Sequence, residues 1–79
     1  MSVCEDMGGR PREAQKRINR AVEMARAAVT KPELEDIYLR RFHAAMDALE
    51  SREEGEAVYD ALRGGGWYRM AAQALARTA

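Results

Sequence analysis

The chain has 79 residues, 47% of them hydrophobic, and its 13 Lys and Arg are matched by 13 Asp and Glu. That length leaves room for one short domain, and a formal net charge of zero excludes a global electrostatic pull toward nucleic acid or membrane. The single cysteine, Cys4, excludes an intrachain disulfide.

Residues 1–10, MSVCEDMGGR, lack a helical period and read as a flexible lead-in. Pro11 then stands where a first helical turn tolerates it, because the missing N–H has no partner there. From residue 11 to 29 the apolar residues Ala14, Ile18, Ala21, Val22, Ala25, Ala28 and Val29 make one stripe at three-and-four spacing, which predicts a first helix. Arg12, Lys16 and Arg20 fall on its opposite side, with Arg26 near the edge.

Thr30, Lys31, Pro32 and Glu33 match a capping box, so a second helix is expected over 31–50 almost without a loop. Its stripe is Leu34, Ile37, Tyr38, Phe42, Ala45, Met46 and Leu49. Leu39 falls off the centre of that stripe and is a candidate for an intermolecular contact. Ser51 to Glu54 repeats the capping pattern. It starts a third helix over 52–63 or is a polar stretch within one long helix. Gly64, Gly65 and Gly66 end this segment as a turn or flexible linker. Trp67, Met70, Ala71, Ala74 and Leu75 share a face of a fourth helix over 67–77, with Arg69, Gln73 and Arg77 on another. Of Trp67 and Tyr68, one is expected in the core and the other near the surface.

The fold expected is therefore all-α: a small bundle of three to four short amphipathic helices spanning 11–79, with helices 1 and 2 as an antiparallel hairpin. Ile18, Val22, Val29, Leu34, Tyr38, Phe42 and Leu49 are its predicted core, closed by Val58, Leu62, Trp67 and Leu75. Large apolar residues are few and alanine buries little area, so a homodimer or a larger partner is expected to supply the missing burial.

Chemistry-bearing patterns are sparse. His43, the one histidine, shares a helix side with Asp47 and Glu50, a set that in principle ligates a divalent metal but reads better as an ordinary rim histidine. The glycine run has neither a preceding strand nor a following Lys-Ser or Lys-Thr, so it is not a phosphate loop. With no argued nucleophile and base, the expectation is no enzyme, no cofactor and no metal. Absence of a long apolar run and of a basic-then-apolar leader points to a cytoplasmic protein without membrane contact.

Charge is segregated: residues 1–31 hold seven basic and four acidic residues, residues 32–63 four basic and nine acidic. The resulting expectation is a non-catalytic accessory or inhibitor that occludes a surface of a larger protein or nucleoprotein complex, from a mobile element or an ordinary cellular assembly. Its contact residues would be Leu39, Asp47, Glu50, Glu53, Glu54, Asp60 and Tyr68. The alternative is a small nucleic-acid-binding regulator. It would use the basic face Arg12, Lys16, Arg20 and Arg26, or Arg69, Gln73 and Arg77 on the second helix of a helix-turn-helix-like pair.

Overall fold

A computed structural model describes residues 11–78; the lead-in and Cys4 lie outside the described residues. Four helices follow one another: α1 (Arg12–Thr30), a 3₁₀ turn (Pro32–Leu34), α2 (Glu35–Asp47), α3 (Arg52–Gly64) and α4 (Tyr68–Thr78). No strand occurs among the described residues, and no helix among them is long and apolar enough to cross a membrane. Helices α1 and α2 form one antiparallel hairpin, α3 and α4 another. The two stack with α1 against α3 and, more lightly, α2 against α4.

The boundaries follow from local chemistry, with two departures from the sequence reading. Thr30 does not cap the second helix: its hydroxyl donates back to the Arg26 carbonyl at 2.9 Å, which makes it the last residue of α1. Pro32 then supports a 3₁₀ turn closed by Leu34 N–H to the Lys31 carbonyl, so α2 starts at Glu35 with no side-chain cap. At the other end the Ala48 N–H is shared between the Ala44 and Ala45 carbonyls, and the chain leaves the helix before Leu49. Helices 2 and 3 are therefore separate. Ser51 caps α3 as its sequence predicts, accepting from the Glu54 N–H at 3.3 Å.

The glycine run is a built turn. Gly66 N–H bonds to the Arg63 carbonyl and Trp67 N–H to the Leu62 carbonyl at 2.8 Å, the two bonds of a Schellman motif, and Gly66 has φ of +85°. This turn sends the chain back along α3 and brings the Trp67 ring onto the core cluster.

Small residues dominate the α1 side of that core: Ile18, Ala21, Ala25 and Ala28 face Phe42, Ala45 and Met46 of α2, Val58 and Leu62 of α3, and Met70, Ala71 and Ala74 of α4, while Ala14 is buried near the α2–α3 connection. Three expected core residues, Val29, Leu34 and Leu75, lie at the margin instead, 46%, 39% and 40% exposed, and Ile37 of the second stripe is 44% exposed. Leu39 is partly buried and packs on the core, not off it. The helical period accounts for this: at about 100° per residue, Leu39 lies about 60° from the fully buried Phe42 and Ile37 about 140° from it, outside the arc that α2 buries.

Candidate functional site

Ion pairing between helices decides which charged residues remain available. Arg17 on α1 meets Glu54 on α3 in a bidentate pair, and its Nη2 also lies 3.5 Å from Glu50. The hydrogen-bonded Glu54 carboxylate raises the Arg17 pKa above its ordinary value; partial desolvation opposes this, and the charges of Glu50, Glu54 and Glu13 add to it. Glu54, at 6% exposure, is therefore a structural residue and not part of an outward acidic patch. Its Oε1 also accepts from the Glu50 N–H at 3.2 Å.

The α2–α4 seam carries two more pairs. Glu35 and Arg69 approach to 3.8 Å at one end, and Asp47 receives Arg77 at the other. Between them in register are His43, four residues before Asp47, and Gln73, midway between the arginines. His43 Nδ1 and Gln73 Oε1 are buried without a hydrogen-bond partner among the described residues. The stripe Arg69, Gln73 and Arg77 thus lies along the α2 side of α4, with Gln73 partly buried and the Arg69 side chain still 79% exposed while it meets Glu35. On the acidic side, Glu56 pairs with Arg52 one turn away, which leaves Glu53 and Asp60 exposed and without an ion pair among the described residues. Tyr68 is 69% exposed.

His43, Asp47 and Glu50 do not assemble into a metal site: no group of three potential ligands occurs among the described residues. Asp47 is turned to Arg77, and Glu50 lies past the end of α2 beside Arg17. Two shallow clefts of about 330 and 310 Å³ flank the α2–α3 connection, one beside Arg52 and Arg77, the other beside Pro11 and Arg17. The first is lined by the Asp47–Arg77 pair and Arg52, the second by Arg17 and Glu54, and Glu50 and Ser51 border both.

Two surfaces remain. The outer face of α1 presents Arg12, Lys16, Arg20 and Arg26, all exposed and without an ion pair among the described residues, with Glu13 and Glu23 interspersed. The α1–α2 corner presents Val29, Leu34 and Ile37 together with Lys31, Arg40 and Arg41. Lys31 and Arg41 both lie over the Tyr38 ring, 5.9 and 5.7 Å from its centroid. The sequence did not mark this corner, because Val29 and Leu34 read as core and Ile37 as part of the same stripe. Their one distinguishing signal was the pair of arginines, Arg40 and Arg41, that follows on the same helix side. No protein-family model, curated protein or solved structure matches the chain.

Proposed function

We propose that the protein is a non-catalytic binding protein, an accessory or inhibitor that works by covering a surface of a larger protein or nucleoprotein complex. The observation that carries this reading is the aliphatic group at the α1–α2 corner, Val29, Leu34 and Ile37. It stays open to solvent in a chain whose core is filled largely by alanine. With so little apolar area to bury, leaving three branched side chains outside weakens the isolated fold, and covering them on a partner recovers that burial. The acidic contribution to such an interface shrinks to Glu53 and Asp60, because Asp47, Glu50 and Glu54 each lie against an arginine of the same chain. A cytoplasmic setting belongs to the proposal, since a chain with one cysteine has no disulfide of its own to maintain.

A second reading, nucleic-acid binding, is favoured by the unpaired cations on the outer face of α1 and not by α4, whose arginines are engaged by Glu35 and Asp47. Affinity capture of the tagged protein and of its Ile37→Asp variant, each with and without nuclease, separates the two. A stoichiometric protein partner that survives nuclease and is lost in the variant supports occlusion. Recovery of nucleic acid alone, unchanged by Ile37→Asp and abolished by Arg12→Glu with Lys16→Glu, supports the second reading.

A further inference from the structure

We infer that the partner of the α1–α2 corner is an acidic amphipathic helix, a segment with an apolar stripe flanked by Asp and Glu. The inference rests on the protein-binding reading above and adds the chemistry of the partner. The floor of the corner is aliphatic, and Ala44 and Ala48 continue it as small exposed positions down the same side of α2. Its rim is cationic. Lys31, Arg40 and Arg41 have no ion pair among the described residues, a property they share with Arg12, Lys16, Arg20, Arg26 and Arg63, but only these three stand beside exposed aliphatic side chains at the α1–α2 corner.

Two of the rim cations are positioned over Tyr38, an arrangement that holds the positive charge beside the apolar floor without neutralising it. Glu33 and Asp36 also stand exposed at the start of α2, so the rim is positive by excess and not uniformly. A flat apolar strip with flanking cations is the complement of a helix whose apolar face is edged by carboxylates.

Competing occupants fit less well. Phosphate backbone has no use for Val29, Leu34 and Ile37. An anionic membrane calls for side chains that protrude, whereas these three are only 39–46% exposed. A second copy of the chain would bring the same cations against this rim.

The test uses the full chain and two synthetic helical peptides sharing one leucine stripe, one flanked by Glu and its twin by Lys, with anionic vesicles and a DNA duplex as further probes. Binding is followed by anisotropy and by amide chemical-shift mapping. The acidic peptide is expected to bind at least about tenfold more tightly than the twin. Its shifts should centre on Leu34 to Ala44. Ile37→Asp, and separately Arg40→Glu with Arg41→Glu, should each weaken it by about tenfold or more while helical circular dichroism and melting are retained. Arg12→Glu should leave the affinity unchanged.

Equal or tighter binding of the Lys twin overturns the acidic chemistry and leaves protein binding standing. Failure of both peptides together with binding of vesicles or duplex overturns the protein-binding reading as well. Self-association abolished by Ile37→Asp, or failure of every probe, overturns the acidic-helix inference.

Discussion

Arg17 on α1 and Glu54 on α3, 37 residues apart in sequence, form a two-pronged ion pair: Nε donates to Oε1 at 2.9 Å and Nη2 to Oε2 at 2.8 Å. The same carboxylate accepts from the Glu50 backbone, and the Glu54 N–H donates to the Ser51 hydroxyl. One residue therefore ties together the start of α3, the end of the α2–α3 connection and the packing of the two hairpins.

Glu54→Ala should lower stability by about 2 kcal/mol, because it removes a buried acceptor and leaves the Glu50 N–H without its partner. Glu56→Ala, which breaks only an exposed pair with Arg52, should cost less than about 0.5 kcal/mol. Urea unfolding of the two variants checks the contrast. Equal midpoints would show that the α1–α3 pair contributes no more than a surface contact.

The pH dependence of this pair has a definite sign. The folded pKa of Arg17 is raised above its unfolded value, so its contribution is fully present below the unfolded pKa and disappears only as pH rises through the folded one. That lies above the working range, so across neutral and moderately alkaline pH the pair contributes constant stability. An Arg17→Lys variant brings the same loss down to just above about pH 10.4, the ordinary lysine value. Melting of wild type and variant in parallel should show a gap that is constant to about pH 9 and widens beyond about pH 10.5. A gap that does not change would mean lysine makes no pair with Glu54.

Phe42 and Ile37 are both apolar residues of α2 but stand on opposite sides of the solvent boundary: Phe42 is fully buried and Ile37 is not. Phe42→Ala should cost about 3–4 kcal/mol, enough to unfold most of a chain this small. Ile37→Asp should change stability by less than about 0.5 kcal/mol. Thermal melts by circular dichroism decide this. A large loss at Ile37 would place it in the core.

The three glycines should respond differently. Gly66 has φ of +85°, and Gly66→Ala should destabilise by about 1 kcal/mol. Gly64 is helical with open space around it, so Gly64→Ala should be neutral or stabilising by about 0.5 kcal/mol. At Gly65 a Cβ would come within 2.6 Å of the Trp67 indole, so Gly65→Ala should displace that ring and shift the tryptophan emission.

Much of the fold was legible because it is local. The α1 stripe, the Ser51 cap and the glycine stop each depend on residues within one or two turns, and they locate the helices to within a few positions. The Thr30 capping box misled because its hydroxyl has a competing acceptor in the turn behind it, the Arg26 carbonyl. The candidate site was less legible. Glu54 and Glu53 are neighbours with the same side chain, and only the position of Arg17 separates the buried structural carboxylate from the exposed one.

What the sequence determined by itself was therefore the helical character of the chain, its order of elements and its lack of any strand pattern, since hydrophobic period and capping act over a few residues. What only the tertiary structure decided was how far each apolar side chain is covered and which charges cancel. Both depend on contacts between residues distant in sequence. Arg17 meets Glu54 across α1 and α3, and the α2–α4 seam engages Arg69 and Arg77, while Lys31, Arg40 and Arg41 stand beside an open apolar corner with no ion pair among the described residues.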